Sequence, residues 1–310
     1  MKYLVGDVGG TNTRLSLADA SGLRSETLMR ARNEHHDSLT SVIGTYMEKH
    51  DCNALDGVCV AIAGPVQLGQ GRLTNRDWDI QASEIAAKVG APRCELINDL
   101  SALGNALPQL SLAQICGHQP DNTNGQALVV GMGTGFNVSL TKPGLDGRTV
   151  VFEAELGHAE VPASVMATLR GELGDKADRF ETVESAFCGS GLERLYQAVA
   201  GRSLSGEDIM NAFEADTDPD ATRTVHLFAN GLGQLARTMI CQYLPRDGLV
   251  FAGSASRGVL ESAALPAFID TFLAPGMDVV HPADIPVALI TEDAAALHGC
   301  FHHLKASAPA

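Results

Sequence analysis

The stretch VGDVGGTNTRLSL, Val5–Leu17, places two glycines, a threonine and an asparagine between two β-forming runs. Gly9 and Gly10 can adopt backbone angles closed to other residues, so main-chain N–H groups there can approach an anion, and Thr11 adds a side-chain donor. The Asp7 carboxylate beside them suits a magnesium ion or its water shell. The same residues also suit an ordinary tight hairpin, so this stretch alone leaves both interpretations open.

Composition limits the classes of function. The chain has 310 residues, 45% hydrophobic content and a formal net charge of −15, which is enough apolar material for one large domain or two ordinary ones. The acidic balance argues against nucleic acid or an anionic membrane as a partner, because phosphate neutralisation needs clustered Lys and Arg. No apolar run approaches the roughly 20 residues that span a bilayer, and the N-terminus lacks a signal-peptide layout, so we expect a cytoplasmic protein.

The seven cysteines include no C-x-x-C pair, and we expect them to be buried free thiols.

The first hundred residues predict the order βββαβαβ, with strands at YLVGDVGG, TRLSLAD, SETLMRA, GVCVAIAG and CELIND. The helices are predicted at DSLTSVIGTYMEKH and ASEIAAKVG. The first of these helices carries an apolar stripe formed by Leu39, Val42, Ile43, Tyr46 and Met47.

A second strand, glycine turn and strand follow from Leu128, in LVVGMGTGFNVSL, and this echo of the opening stretch predicts two similar α/β domains. Phe136 stands where a G-x-G-x-x-G motif needs glycine, and no P-loop motif is present, so both of those nucleotide folds are excluded. Further helices are predicted at ETVESAF, after the cap pattern Ser205-x-x-Asp208, and from DATRTVHLF to CQYL. The segment Pro108 to Gly125 is the best candidate for a domain boundary.

Two polar segments are candidate sites. In ELINDLSALGNAL, Asn98 and Asp99 follow an apolar strand, where ligand groups gather in open α/β sheets. On this stretch alone, the favoured role of Asp99 is to cap the helix that follows. The segment EAELGHAEV suits either sugar hydroxyls or a metal, or it is a solvated loop. Its polar residues are Glu153, Glu155, His158 and Glu160. The histidines of the last helix have no acidic partner close in sequence and are expected at the surface: His298, His302 and His303.

Together these segments resemble a bacterial-type glucokinase of the hexokinase, Hsp70 and actin superfamily. The resemblance extends over most of the chain, and the order and spacing of its motifs make it specific. GDVGGTNTR resembles the first phosphate loop and GMGTGF the second. AIAGPV and LTNRDW resemble the sugar side of the small domain, INDL the catalytic segment, and ELGH with ETVESAFCGSGL the sugar wall.

The resemblance implies an α/β fold of two ribonuclease-H-like, actin-like ATPase domains with an interdomain cleft. The small domain would comprise residues 1–109 plus 291–310, and the large domain residues 110–290. It implies ATP and Mg²⁺ as cofactors, glucose as substrate, and a homodimer. Asp99 would be the general base for the glucose 6-hydroxyl, and Asp7 would lie near magnesium. Sugar contacts are implied for Asn98, Asp99, Glu155, His158 and Glu184. Nucleotide contacts are implied for Gly6, Asp7, Val8, Gly9, Gly10, Thr11, Gly133, Thr134, Gly135 and Gly253.

Two positions depart from the family pattern. Ser254 and Asn137 stand where glycine is usual, and a side chain at either place would narrow the nucleotide pocket. The cysteine cluster of the zinc-bearing ROK relatives is missing, so no structural zinc is expected. The alternatives to a glucokinase are a kinase for another hexose, a non-catalytic sugar sensor of the same fold, and an actin-like or Hsp70-like ATPase. The polar sugar wall argues against the ATPase.

Overall fold

The computed structural model describes residues 1–52, 54–73 and 76–307. Two residues of the predicted LTNRDW segment, Thr74 and Asn75, lie outside the described residues. The strands are β1 Tyr3–Val8, β2 Asn12–Asp19, β3 Gly22–Leu23, β4 Met29–Arg32, β5 Gly57–Ile62, β6 Val66–Gln67, β7 Gln70–Arg72, β8 Asp79–Gln81, β9 Cys94–Asn98, β10 Ala113–Cys116, β11 Ala127–Met132, β12 Phe136–Pro143, β13 Thr149–Glu153, β14 Gly248–Ala252 and β15 Val287–Leu289.

The α-helices carry most of the apolar faces that cover these strands. They are α1 Leu39–Lys49, α2 Ala82–Val89, α3 Asp99–Ala106, α4 Ala163–Leu173, α5 Val183–Ala186, α6 Gly189–Ala200, α7 Gly206–Glu214, α8 Pro219–Tyr243, α9 Ser254–Leu260, α10 Leu265–Phe272 and α11 Ala295–Ala306. The chain divides into two compact units. The first comprises Met1–Leu110, Gly147–Val151 and Glu292–Ala310, and the second comprises Ser111–Asp146 and Phe152–Thr291.

The first unit is built on a sheet with the strand order β3-β2-β1-β5-β9, in which β4 also pairs with β2. Strand β1 runs antiparallel to β2 and parallel to β5. Its side chains alternate between two cores: Leu4 and Val8 belong to the cluster that includes α1 and α2, and Tyr3 and Val5 to the cluster that includes α11. Both faces are covered, which explains why every residue of β5 is buried.

The second unit repeats this pattern around β11. Its sheet has the order β10-β15-β14-β11-β12-β13, with β11 antiparallel to β12 and parallel to β14. The buried apolar side chains of the long helix α8 belong to the core of this unit. The strand, glycine turn and strand predicted at Val5–Leu17 and again from Leu128 are therefore both confirmed. The predicted cap of α7 is also confirmed, because Ser205 Oγ accepts a hydrogen bond from the Asp208 N–H at 3.1 Å.

Two sequence predictions were wrong in detail, and one small sheet was missed. SETLMRA is a 3-10 turn followed by β4, and not one strand, because Thr27 turns inward and its hydroxyl binds the backbone of β2. The three-stranded sheet β6-β7-β8 was missed, since its strands are only two or three residues long. The cysteines are all free, but Cys241 is exposed, and Cys94 and Cys116 are only partly buried.

Candidate active site

The first glycine loop joins β1 to β2 as a tight hairpin. The Gly9 N–H donates to the Asn12 carbonyl at 3.0 Å, and Val8 pairs with Thr13. The hairpin geometry does not exclude phosphate binding, because the intervening backbone remains partly exposed. The loop thus forms the tight hairpin that was one of the two interpretations of the sequence. Phosphate binding by this loop stays a prediction.

Asn33 stabilises the first glycine loop through hydrogen bonds. Its side chain is fully buried, and its Nδ2 donates to the carbonyl oxygens of Gly9 at 2.7 Å and Gly10 at 3.3 Å. Its Oδ1 accepts from the Thr13 hydroxyl at 2.7 Å, and its backbone N–H donates to the Thr11 carbonyl at 2.9 Å. Sequence reasoning missed Asn33, because a single asparagine in the polar run ARNEHHD carries no periodic or motif signal.

Asp7 lies on β1 directly before the loop and forms an ion pair with Arg14, with 3.0 Å between Oδ2 and Nη1. Burial raises the pKa of Asp7, and the Arg14 guanidinium partly offsets that effect. The pairing follows from the strand register, since Asp7 and Arg14 are direct partners across β1 and β2. Arg14 is a second residue that the sequence analysis did not identify.

The residue that caps α3 is Asn98 rather than Asp99. Asn98 Oδ1 accepts hydrogen bonds from the N–H groups of Leu100 at 2.9 Å and Ser101 at 3.4 Å, and its Nδ2 donates to the Gly64 carbonyl at 3.2 Å. Asp99 occupies the first position of the helix, where its Oδ1 also accepts from Leu100 N–H at 2.9 Å. Because Asn98 supplies the cap, Asp99 is not required for it and remains partly exposed at the end of β9.

The electrostatics of Asp99 differ from the expectation for a carboxylate beside backbone donors, which favour ionisation. Burial raises the pKa of Asp99 to about 7, and the neighbouring Asp7 carboxylate contributes to that rise, while hydrogen bonds from Leu100 and Asn98 oppose it. Two carboxylates from distant points of the chain are thus brought together in the first unit. A side chain with a pKa near 7 is matched to general acid and base work at neutral pH.

The second glycine loop joins β11 to β12 in the other unit. The Gly133 N–H donates to the Gly135 carbonyl at 3.0 Å, and the Gly133 carbonyl accepts from Gly189 N–H at 2.8 Å at the start of α6. Gly253 packs against the same loop: its φ is 100°, and a Cβ there would lie 2.4 Å from the Met132 carbonyl oxygen. Ser254 follows it and is exposed. The predicted phosphate-side glycines 133, 135 and 253 therefore share one small region.

The predicted sugar-wall residues Glu155, His158 and Glu184 lie on segments that pack beside this loop. Glu184 Oε2 accepts from the Phe136 N–H at 2.8 Å. Glu155 precedes a 3-10 turn that ends at His158, and both side chains are exposed. Glu155 Oε2 accepts from Asn137 Nδ2 at 2.9 Å. Asn137 therefore directs its amide toward Glu155, and its effect on the nucleotide pocket stays a prediction.

The histidines of α11 were expected at the surface without acidic partners, and the structure corrects this. His298 Nε2 lies 2.8 Å from Glu292, and His303 Nε2 lies 2.8 Å from Glu95 on β9. The second partner is far away in sequence, so only the packing of α11 on the sheet creates it. Burial lowers the pKa of His302, and His298 and Lys305 lower it further.

Among the residues with described positions, no helix has the length and apolar character needed to span a membrane.

Comparison with known proteins gives consistent results. A sequence model of the glucokinase family matches residues 4–307. The glucokinase of Shigella dysenteriae serotype 1 is 33% identical, with 98% of this chain and 97% of the relative covered. The crystal structure of a glucokinase from an Antarctic psychrotroph has a TM-score of 0.83 at 27% identity and covers 99% of both chains.

A ROK family glucokinase from Streptomyces griseus, solved with glucose and AMPPNP, has a TM-score of 0.63 at 17% identity and covers 97% of this chain and 98% of its own. The fold is thus a mixed α/β architecture shared with glucokinases of known structure. The chain belongs to the glucokinase family.

Proposed function

We propose that this protein transfers the γ-phosphoryl group of ATP to the 6-hydroxyl of D-glucose, forming glucose 6-phosphate and ADP, with Asp99 as the general base. The observation that carries the residue assignment is the position of Asp99. It stands at the carboxyl end of a parallel strand, Asn98 supplies the helix cap beside it, and its pKa is raised to about 7. Family membership supports the reaction itself.

In this proposal Asp99 Oδ accepts the proton of the 6-hydroxyl as the sugar oxygen attacks the γ-phosphorus. The base must be ionised to do so, and a pKa of about 7 leaves a substantial fraction of carboxylate at neutral pH while keeping its basicity high. The bond from phosphorus to the ADP oxygen breaks as the new bond to the sugar oxygen forms. Such transfers depend more on positioning and charge neutralisation than on covalent assistance.

The two glycine loops supply the positioning. Residues Gly6 to Thr11 and Gly133 to Gly135 are proposed to hold the phosphates, with Gly253 near the nucleotide. The N–H groups of Gly9 and Gly133 already donate within their loops and shape them. The buried Asn33 fixes the first loop, and Glu184 fixes the end of the second loop. Preorganised amides of this kind stabilise developing charge without reorganising during the reaction.

Magnesium fits the residues at the first loop. Carboxylate oxygens are hard donors that this ion prefers, and Asp7 supplies such a group directly before the loop. Arg14 binds Oδ2 of Asp7, which favours an indirect contact through water. When bound, magnesium neutralises phosphate charge.

The sugar contacts are assigned to Asn98, Glu155, His158 and Glu184. A carboxylate or amide that binds a defined hydroxyl rejects an epimer, because the wrong sugar leaves a buried polar group unpaired. Glu184 has one oxygen engaged by the Phe136 N–H, and Asn98 uses its Oδ1 as a cap. The remaining oxygen of Glu184 is therefore proposed to bind a hydroxyl. The Asn98 amide, which already donates to the Gly64 carbonyl and to Asp99, is proposed to contact the sugar from that fixed position.

The wider architecture follows from the family resemblance. We infer two ribonuclease-H-like domains, residues 1–109 plus 291–310 and residues 110–290, with glucose and ATP in the cleft between them. The division of the chain into two compact units supports these limits to within one residue, except that Gly147–Val151, placed in the large domain, belong to the first unit. A homodimer and a cytoplasmic location are further predictions from the resemblance and the sequence.

The reaction is tested by ADP release from the purified protein with magnesium and ATP. Glucose, mannose, fructose, galactose and N-acetylglucosamine are added separately, and one sample contains no sugar. Turnover on glucose well above the other sugars is expected. Faster turnover on another sugar would make the protein a kinase for that hexose. Glucose binding without turnover on any sugar would identify a sensor of the same fold.

A further inference from the structure

Asn137 connects the second glycine loop to the predicted sugar wall through both ends of its amide. Its Nδ2 donates to Glu155 Oε2 at 2.9 Å, and its Oδ1 accepts from the N–H of Leu156 at 3.0 Å. The same Oδ1 accepts from the Val138 N–H at 2.9 Å. One side chain thus holds both the carboxylate of Glu155 and the peptide group that follows it.

The two partners differ in their local support. Asn137 lies inside the β11–β12 ladder, where it pairs with Gly131. Glu155 is exposed and lies in an irregular segment before a 3-10 turn. An exposed glutamate that becomes fixed on binding a ligand loses side-chain rotamer freedom, which weakens binding. A hydrogen bond from a rigid strand removes part of that loss before the sugar arrives.

The geometry also selects which oxygen is available. Asn137 engages Oε2, so within the described part of the chain Oε1 is the oxygen of Glu155 left to accept from a sugar hydroxyl. A glycine at this position would have no side chain that could fix this choice. The side chain of Asn137 thus reaches the predicted sugar wall.

We propose that Asn137 is a positioning residue that determines sugar affinity and discrimination by orienting the Glu155 carboxylate. This inference rests on the proposed function, since it assigns Glu155 to a hexose hydroxyl. Asn137 acts through Glu155 and does not itself touch the reacting atoms.

The test compares Asn137→Ala and Asn137→Asp with the wild type. Asn137→Ala is expected to raise the KM for glucose about 5- to 10-fold, the equivalent of one lost hydrogen bond of about 1 kcal/mol or slightly more. The KM for ATP and kcat should change less than about 2-fold. Asn137→Asp keeps an acceptor for Leu156 but repels Glu155, so its glucose KM should rise at least as much. Discrimination between glucose and mannose should fall in both variants.

A double-mutant cycle separates positioning from a general structural role. In a Glu155→Ala background, Asn137→Ala should have little further effect on the glucose KM, because its partner is already absent. Asn211→Asp, on the exposed face of α7, is the matched control for the added charge and should behave as the wild type. Thermal unfolding of each variant shows whether the fold is retained.

An unchanged glucose KM in a folded Asn137→Ala protein would overturn the proposal, as would additive effects in the cycle. A rise in the KM for ATP alone would place Asn137 on the nucleotide side instead. If the wild type turns over no sugar, the proposed reaction fails, and calorimetric glucose binding then replaces the KM in the same comparison. A wild type that neither turns over nor binds a sugar would overturn both proposals.

Discussion

Glu184 Oε2 accepts a hydrogen bond from the backbone N–H of Phe136 at 2.8 Å, which joins the predicted sugar wall to the end of the second glycine loop. The same oxygen would lie 2.6 Å from a Cβ at Gly135. A Cβ at position 135 would therefore displace this carboxylate from its contact with the Phe136 N–H. This contact lies within the second unit. It joins Glu184, for which a sugar contact is implied, to the second glycine loop, for which nucleotide contacts are implied.

Gly135→Ala is expected to displace the Glu184 carboxylate and so to raise the KM for both glucose and ATP, by about tenfold if roughly 1 to 2 kcal/mol of hydrogen-bond energy is lost. The measurement is steady-state kinetics with each substrate varied in turn. Gly171→Ala is the matched control, because a Cβ there meets no atom within 4 Å and the residue lies inside α4. An ATP defect alone would separate Glu184 from the sugar.

Asp99→Asn should reduce kcat about 10²- to 10⁴-fold, the usual contribution of a positioned general base. The amide is nearly isosteric, and because Asn98 supplies the cap, α3 should keep its N-terminus. Glucose binding and thermal unfolding are measured alongside the rate. Near-normal turnover in the variant would remove Asp99 as the base.

The raised pKa of Asp99 predicts a pH-dependent stability. The folded-state pKa of about 7 exceeds the ordinary value of 3.8, so the folded protein holds this proton more tightly than the unfolded chain. The resulting stabilisation is full below pH 3.8 and is lost as the pH rises through about 7. The amide in the Asp99→Asn variant does not ionise, so the variant should gain stability relative to wild type between about pH 5 and pH 8.

The expected gain is about 2 to 4 kcal/mol, at roughly 1.4 kcal/mol per pKa unit. Denaturant unfolding of both proteins without ligands, at about pH 5 and about pH 8, measures it. The burial-raised pKa of Asp7 acts in the same direction in both proteins and cancels to first order. A difference between the proteins that does not change with pH would contradict the raised pKa.

Asn33→Ala should loosen the first glycine loop. The change removes the donor to the Gly9 and Gly10 carbonyls and leaves the buried Thr13 hydroxyl without its acceptor. A loss of about 1 to 3 kcal/mol in the free energy of unfolding is expected, together with a KM for ATP that rises more than the KM for glucose. Asn211→Ala on α7 serves as the exposed control. Normal stability and kinetics would show that the loop does not depend on Asn33.

Glu155→Gln should weaken glucose binding before it affects ATP. The neutral amide keeps the size of the side chain but halves its capacity to accept hydrogen bonds, so a glucose KM raised about tenfold is expected. Calorimetry with glucose and, separately, with ATP distinguishes the two effects. Glu207→Gln, exposed in the first turn of α7, controls for the lost charge. A defect confined to ATP would contradict the assignment of Glu155 to the sugar.

Local signals in the sequence were sufficient for much of the fold. The apolar stripe of α1, the buried run of β5 and the cap of α7 depend on residues within a few positions of one another. Backbone preferences and side-chain periodicity act over that range. The short strands β6 to β8 were missed because two or three residues carry no measurable periodicity.

By itself the sequence determined the repeated strand, glycine turn and strand, and it placed chemically suitable side chains at the ends of strands. Only the tertiary structure decided what those side chains do. It gave the cap of α3 to Asn98, brought Asp7 beside Asp99 to raise its pKa, and turned Asn137 toward Glu155. The physical reason is that burial, charge proximity and hydrogen-bond partnership depend on residues distant along the chain, which only packing brings together.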